Sequence, residues 1–169
     1  YFSRTYELLA PGGLFLNHAI SDRPRLAARG LSGWMAHKLD SIFVGNYQFR
    51  TRYIFPDGEL LPVSEANLGA ERAGFEVRDV ENLREHYART IRHWLTRLRE
   101  RRAEAVEIAG EAVYRLWELY LAGCIHHFDT ARIGINQSLL ARPAEGKAGL
   151  PWSRADLYRS WPDATKLLQ

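Results

Sequence analysis

Two side chains that could take part in acid–base or hydrogen-bond chemistry stand close to strand-like segments of the chain. His18 lies near the carboxyl end of the apolar run 14–20, and Tyr87 lies at the start of a long helix that follows a second strand. Open α/β sheets bind their ligands at the carboxyl ends of their strands. Both residues are therefore candidates for a functional site. A structural role, in which each ring packs and hydrogen-bonds, stays open on position alone.

A third group, Cys124, His126 and His127, has the residue types of a metal site but not its spacing. On one helix these side chains point in different directions, and no second cluster complements them. We therefore predict no metal site here and assign the three residues a structural role. The sequence also has no glycine-rich loop after a strand and no Gly-x-Ser-x-Gly sequence. Residue types and spacing alone do not name a reaction.

The elements that position these residues alternate between helices and strands. The pattern of apolar residues and turn signals predicts helices at 1–10, 64–73, 85–109 and 111–128, and strands at 14–20, 75–80 and 133–141. This order predicts an α/β fold, in which the first strand is buried in a parallel sheet. A doubly wound sheet typically has about six strands. The chain is therefore expected to be the carboxyl-terminal half of a larger domain.

Two segments depart from this alternation. Residues 21–63 form an irregular, aromatic-rich insertion directly after the first strand, a position from which long loops often cover a site. After Pro143 the composition shifts, and residues 144–169 are predicted to be a tail. Trp152 and Trp161 of this tail suggest docking onto another surface. The chain begins at Tyr1 without an initiator methionine, which also suggests a piece of a longer protein.

The composition is that of a globular protein, with 46% hydrophobic and 25% charged residues and a formal net charge of +3. No apolar run approaches the roughly 18 residues of a membrane-spanning helix. The single cysteine excludes an internal disulfide and favours a reducing compartment.

The positive charge is concentrated between Arg84 and Arg102, where seven arginines stand against Glu85 and Glu100 on a predicted amphipathic helix. This segment is either a solvated helix face or a surface for anionic phospholipid headgroups. Nucleic acid is the least favoured partner because no recognised binding motif accompanies the charge.

Several stretches of the chain carry a family resemblance, and together they run from residue 1 to residue 143. The most specific are Tyr-Ile-Phe-Pro-x-Gly, which begins at Tyr53, and Tyr-Leu-x-x-Cys, which begins at Tyr120; the others lie at 79–87, 90–95 and 128–137. They resemble the cyclopropane-fatty-acyl-phospholipid synthase family, which includes the mycolic acid cyclopropane synthases. The resemblance implies the fold of class I S-adenosylmethionine-dependent methyltransferases, with the last strand antiparallel between the other two. It also implies that residues 21–63 form part of a lid over the acyl chain.

The resemblance further implies a reaction. An alkene attacks the sulfonium methyl of S-adenosylmethionine, and a bound bicarbonate removes a proton as the cyclopropane ring closes. His18, the backbone of Ile20 and Tyr87 match positions of the family's bicarbonate cradle. An imidazole N–H, a backbone N–H and a phenol are donors that suit such an anion.

Other parts of the family pattern are missing from these residues. The family's S-adenosylmethionine loop, its acidic ribose-binding residue, its active-site cysteine and its cradle glutamate would all lie before Tyr1. The chain is therefore expected to contain no cofactor-binding residues and to be inactive alone. Cys124, which belongs to a late helix, is given a packing role.

The predicted function is part of a methyltransferase that acts on unsaturated acyl chains of membrane phospholipids. The whole protein is expected to be cytoplasmic and peripheral at the anionic inner face of the membrane, with no nucleic-acid partner. Two other hypotheses stay open: a non-catalytic lipid-binding remnant that kept the acyl groove, and an inactive fragment. The sequence does not distinguish cyclopropanation from methyl branching, and it leaves the oligomeric state open.

Overall fold

The computed structural model describes residues 1–22, 52–56 and 58–156. Within them the helices are α1 (Phe2–Leu8), α2 (Val63–Arg72), α3 (Arg84–Glu100), α4 (Arg102–Ala109) and α5 (Glu111–Asp129). The strands are β1 (Leu14–Asp22), β2 (Glu76–Asn82) and β3 (Ile133–Ala141). Helices and strands alternate in the predicted order, and the α/β class is confirmed. Most of the proposed lid, residues 23–51, lies outside the described residues.

The three strands form one sheet in the order β1-β3-β2, and both pairings are antiparallel. The last strand therefore lies between the other two, as the family resemblance implies. In this register His18 lies opposite Gln137, and Gln137 lies opposite Glu81 on its other side. These three residues form a row across one face of the sheet, because directly paired residues point to the same face.

A β-bulge interrupts the pairing of β2 with β3 between Val77 and Asp79. Before the bulge, Val77 pairs with Leu140 and packs into the core on one face. After it, Asp79 pairs with Leu139, and so faces the opposite side. Odd-numbered residues of β2 therefore point to one face of the sheet before the bulge and to the opposite face after it.

The core consists of two clusters on opposite faces of the sheet. Ile135 and Leu140 point to opposite faces of β3, and each is almost completely buried. The first cluster lies under α3 and α5 and contains Ala88, Ile91, Leu95, Leu121, Phe128 and Ile135. The second lies under α1 and α2 and contains Ala70, Phe75 and Leu140. Helices therefore cover both faces of the sheet.

The strand β1 differs from its prediction as a buried strand of a parallel sheet. It pairs antiparallel with β3, and among the described residues no strand pairs with its other edge. Leu14 is 44% exposed and Leu16 is 52% exposed, whereas Ile20 packs against the first core cluster. The helices α3 and α5 thus cover only one end of β1, so an apolar sequence alone does not bury this strand.

The predicted single helix at 85–109 is divided in the structure. It is interrupted at Arg101, which separates α3 from α4, and Arg101 is not a helix-breaking residue type. Gly110 joins α4 to α5 with a φ of +82°, as predicted for the joint; glycine adopts this backbone conformation without a Cβ penalty. The helices α3 and α5 then pack side by side as a helical hairpin.

Only part of the predicted tail is described. Arg154 donates two hydrogen bonds of 2.9 Å to the carboxylate of Asp79, so the chain near residue 154 contacts β2. Trp152 is fully exposed and does not dock onto the described part of the chain. Trp161 lies outside the described residues. No helix in the described ranges is long and apolar enough to cross a bilayer.

Candidate active site

His18 and Tyr87 lie beside each other on one face of the sheet. Their ring centroids are 6.2 Å apart and their planes are inclined at 61°. His18 points toward α3 and α5 because Ile20, two residues along β1, enters the core beneath these helices. Tyr87 lies in the first turn of α3, where its backbone N–H bonds to the carbonyl of Leu83. The structure thus brings these two candidate residues together, while their chemical role stays a prediction.

The imidazole of His18 has a side-chain partner on the neighbouring strand. Nδ1 of His18 lies 3.1 Å from Nε2 of Gln137. When the Gln137 amide donates this hydrogen bond, Nδ1 is the acceptor, and the imidazole carries its proton on Nε2. The contact therefore fixes which ring nitrogen of His18 presents an N–H to a ligand.

The phenol of Tyr87 is set among aromatic rings. Edge-to-face contacts link its ring to Phe128 at 5.3 Å and to Trp94 at 5.9 Å. Burial raises the pKa of Tyr87 above the usual phenol value, and the nearby Cys124 thiol adds to the rise. The phenol is therefore protonated at neutral pH, so it is a hydrogen-bond donor. Within the described part of the chain, no hydrogen-bond partner occupies its oxygen.

The backbone N–H of Ile20 points to the unpaired edge of β1. Asp22 donates its N–H to the carbonyl of Leu61 at 3.2 Å, away from β3. Because backbone groups alternate along a strand, residues two apart point to the same side, so the Ile20 N–H also faces this edge. No described strand pairs there. The Ile20 amide is thus placed where it can donate to something other than β3.

A half-exposed aromatic surface extends from Tyr87 along the α3–α5 hairpin. It consists of Phe55, Tyr87, Trp94, Trp117 and Tyr120, and Phe55 and Trp117 each contact Tyr120 at ring distances of 6.1 and 5.5 Å. Cys124, beside Tyr87, lies two helical turns from Trp117, a distance of about 10 Å along α5. Exposed aromatic surface of this extent suits an apolar ligand.

Cys124 itself is half-buried and packs against the first core cluster, which agrees with the packing role assigned to it. The adjacent rings of His126 and His127 are 6.0 Å apart. Across residues 1–22, 52–56 and 58–156, no group of three or more His, Cys, Asp or Glu side chains has the geometry to hold a metal ion.

Two polar residues of this face were not identified from the sequence. Gln137 bonds to His18, and Glu81 lies opposite Gln137 on the outer strand β2. Both sit in predicted strands, but only the pairing register shows that they share a row with His18. A single sequence does not state that register, and the bulge in β2 shifts it by one residue.

A separate cavity of about 200 Å³ lies beside β1, and its lining includes neither His18 nor Tyr87. Its polar lining includes Glu59 and, on the opposite face of the sheet from His18, Asn17, Ser21, Asn136 and Ser138. Asn136 donates a 2.6 Å hydrogen bond to the Ser21 hydroxyl. This paired, buried arrangement has the character of a structural hydrogen bond, and we place the chemistry on the His18 face.

The family resemblance implies two bound groups, bicarbonate and S-adenosylmethionine, and the described residues fit bicarbonate better. The Nε2–H of His18, the Tyr87 phenol and the Ile20 amide are donors of the kind that hold an anion such as bicarbonate. For S-adenosylmethionine they offer less, because neither β2 nor β3 leads into a glycine-rich loop. We therefore derive no step from a donor pocket in this part of the chain.

The strand order and the helices on both faces define a portion of the class I S-adenosylmethionine-dependent methyltransferase fold. The cyclopropane synthase MmaA2 from Mycobacterium tuberculosis superposes with a TM-score of 0.68 at 31% identity, covering 82% of this chain and 47% of that one. Mycolic acid cyclopropane synthase CmaA1, complexed with SAH and CTAB, gives a TM-score of 0.69 at 28% identity with the same coverage.

The sequence model of the mycolic acid cyclopropane synthetase family matches residues 1–138, and the chain belongs to this family. A probable fatty acid methyltransferase of Pseudomonas putida is 37% identical over 160 residues, which cover 94% of this chain and 38% of that protein. The family membership expected from the sequence is confirmed. The chain spans less than half the length of these relatives.

Proposed function

We propose that these residues form part of an S-adenosylmethionine-dependent methyltransferase that adds a carbon to unsaturated acyl chains of membrane phospholipids. The observation that carries the proposal is the contact between His18 and Tyr87 at one end of the aromatic surface. Membership of the family supports the reaction class. The fatty acid and mycolic acid activities in the names of the relatives support an acyl substrate.

In this proposal three groups of the chain hold bicarbonate by hydrogen bonds: the imidazole of His18, the phenol of Tyr87 and the amide of Ile20. When bound, bicarbonate would supply the base for proton removal from the added carbon. Gln137 orients the imidazole so that Nε2–H is the donor. The Tyr87 phenol is protonated at neutral pH, as any phenol is, so it donates to the anion instead of repelling it; burial raises its pKa further and extends this to more alkaline pH.

The aromatic surface has two tasks in the same proposal. Its exposed rings provide apolar area for the acyl chain; Trp94 is 42% exposed and Trp117 is 41% exposed. Aromatic faces also attract positive charge, which develops on the acyl chain after methyl transfer. Tyr87, whose ring contacts both Trp94 and His18, lies where that charge would be quenched by loss of a proton.

The test uses the protein in its full reading frame with methyl-labelled S-adenosylmethionine and vesicles of unsaturated phospholipid. After incubation the fatty acids are released and analysed by mass spectrometry. We expect product chains heavier by one CH2 group, and nuclear magnetic resonance then separates a cyclopropane from a methyl branch. Unchanged fatty acids from a folded protein that binds S-adenosylmethionine would contradict the proposal.

Substitution of Tyr87 by phenylalanine tests the cradle. Removal of one donor to a charged group at a reacting centre typically costs about a hundredfold in rate. We therefore expect Tyr87→Phe to lower kcat by roughly that factor, whereas the matched variant Tyr114→Phe keeps the wild-type rate. Tyr114 is also buried on the α3–α5 hairpin, but it packs beneath Arg102 instead of beside His18. Equal rates for the two variants would remove Tyr87 from the cradle.

A second candidate function for the 169 residues taken alone is lipid binding without catalysis, and it is favoured by the features of the described residues. The described part of the chain presents the aromatic surface but no glycine-rich loop after β2 or β3. Binding of a fluorescent fatty acid to these residues, without any methyl transfer, would support it.

A further inference from the structure

We propose that the outer face of α3 is a docking surface for an anionic phospholipid bilayer, and that Arg89 and Arg97 supply its charge. The inference rests on the proposed function, since an enzyme of membrane acyl chains must meet the bilayer. It goes further by assigning the contact to two of the seven arginines between positions 84 and 102.

The seven arginines are not equivalent in the structure. Five form ion pairs with carboxylates: Arg84 with Glu85, Arg92 with Asp129, Arg99 with Glu118, Arg101 with Glu104 and Arg102 with Glu111. The guanidinium groups of Arg89 and Arg97 form no ion pair or hydrogen bond with any residue in the described ranges, and both side chains are exposed. Their guanidinium groups therefore retain the donors that bind phosphate.

The position of these two arginines on α3 explains why their side chains have no partner among the described residues. Ala88, Ile91 and Leu95 are the buried face of α3 and pack toward α5 and the sheet. Arg89 and Arg97 lie on the solvent half of the helix, with His93 between them at intervals of four residues. Residues spaced in this way form a continuous ridge, here about 12 Å long. No described element of the chain lies over it.

The acidic side chains of α3 lie near its two ends. Glu85 is paired with Arg84 in the first turn, and Glu100 is the last residue of the helix, one turn beyond Arg97. Between them the exposed face of α3 has arginines, histidines and no carboxylate of its own. The nearby carboxylates of α5, Asp129 and Glu118, are neutralised by ion pairs with Arg92 and Arg99, so a negatively charged plane approaching the ridge meets no unpaired acid of α3 or of these pairs.

Trp94 favours a bilayer over an acidic protein as the partner. It follows His93 in the sequence and lies beside the ridge, it is 42% exposed, and its ring contacts Tyr87 at the inner end of the aromatic surface. Exposed tryptophan beside arginine is typical of segments that lie in the headgroup region. In this orientation the aromatic surface opens toward the membrane from which the acyl chain would come.

The test is co-sedimentation with vesicles of equal parts phosphatidylcholine and phosphatidylglycerol at physiological salt, without S-adenosylmethionine. The double variant Arg89→Gln, Arg97→Gln is compared with Arg99→Gln, Arg101→Gln, which removes the same formal charge from ion-paired positions. Each basic residue at an anionic surface contributes roughly a fivefold change in partitioning, so the first variant should bind about 25-fold more weakly. The second should stay within about fivefold of the wild type, because screening confines the interaction to charges near the surface.

Binding that weakens equally in both variants would overturn the proposal, because net charge alone would then account for it. Absence of wild-type binding to the anionic vesicles, or equal binding to vesicles of phosphatidylcholine alone, would overturn it as well. Circular dichroism shows whether each variant is folded, and Arg89→Lys, Arg97→Lys should restore most of the binding since it restores the charge. The assay needs no methyl transfer, so docking and the proposed enzymatic function can fail separately.

Discussion

The imidazole of His18 depends on a neighbour that belongs to a different strand. Gln137 lies directly opposite it in the β1–β3 pair and contacts Nδ1 at 3.1 Å. A family resemblance points to His18 and Tyr87, and the structure places them together. The resemblance does not point to Gln137, because an amide in a predicted strand has no distinguishing sequence feature. The partner of the His18 imidazole is thus evident only from the register.

Replacement of Gln137 by leucine should remove the hydrogen bond that selects one tautomer of the His18 imidazole. We expect both ring tautomers of His18 to be populated in Gln137→Leu, whereas the Nε2–H form dominates in the wild type. Nitrogen-15 nuclear magnetic resonance of the imidazole measures the tautomer ratio directly. We also expect kcat to fall by about tenfold with little change in KM, as for the loss of an orienting contact.

Two results would contradict this role for Gln137. An unchanged tautomer ratio would show that another group fixes the imidazole. If Gln137→Glu loses as much activity as Gln137→Leu, and both variants have a lowered melting temperature, the contact is purely structural.

The half-buried phenol of Tyr87 makes stability depend on alkaline pH. The pKa of Tyr87 is raised on folding, chiefly by burial. The corresponding stability is therefore fully present below the usual phenol pKa, and it is lost as pH rises through the higher value of the folded protein. We expect the free energy of unfolding to fall more steeply above pH ~10 in the wild type than in Tyr87→Phe. Denaturant titrations at several alkaline pH values measure this difference, and parallel pH profiles would contradict it.

At the scale of the secondary-structure elements, the sequence predicted the features that local signals determine, such as the ends of helices at glycine residues. Gly74 ends α2 and Gly110 separates two helices, and both positions have positive φ values in the structure. The whole of β3 was predicted with its bounds, 133–141, because its apolar residues alternate between two buried faces. Two features were not predicted, the exposure of β1 and the interruption at Arg101. Each depends on what packs against the segment and not on its own residues.

The joint at Gly110 provides a test of an element boundary. Its φ of +82° and ψ of 157° lie in a region that residues with a Cβ rarely adopt, and no atom lies within 4 Å of a Cβ placed there. The cost of Gly110→Ala is therefore a backbone cost, and we expect a loss of about 1–3 kcal/mol in the free energy of unfolding.

Gly69→Ala serves as the matched control, because Gly69 lies in the interior of α2 and has no positive φ. Its new methyl group would meet the Phe2 ring at 3.4 Å, and helix propensity favours alanine by roughly 1 kcal/mol. We expect this variant to be at least as stable as the wild type in urea titrations. A Gly110→Ala protein as stable as Gly69→Ala would show that the joint tolerates a Cβ.

At the scale of the whole molecule, the family and the fold are established, and the chain spans less than half the length of the relatives it matches. Its described residues supply hydrogen-bond donors and an aromatic surface, but no glycine-rich loop after β2 or β3. The sequence predicts no cofactor-binding residues in this chain because the family's loop motif is absent from it, and this stays a prediction. It did not anticipate how the arginines divide into paired and unpaired groups, which depends on contacts between α3, α4 and α5.

We therefore expect the 169 residues alone to transfer no methyl group. Incubation with radiolabelled S-adenosylmethionine and unsaturated phospholipid vesicles should leave the lipid fraction unlabelled, while the same vesicles sediment with the protein. Equilibrium dialysis of S-adenosylmethionine against the chain should likewise show no specific binding. Labelled lipid, with a denatured sample as the blank, would disprove this expectation.

The β-bulge in β2 has a consequence for how this strand tolerates insertion and deletion. Because it offsets the alternation by one residue, Asp79 and Glu81 share the sheet face of His18, and Asp79 receives both hydrogen bonds from Arg154. Loss of the single residue Arg78, the extra residue of the bulge, would leave Val77 opposite Leu140 and Asp79 opposite Leu139 in regular alternation, so both side chains would keep their present faces. Removal of one residue at this point is thus compatible with the facing of the strand, whereas removal of one residue elsewhere in β2 would reverse the facing on one side of the deletion.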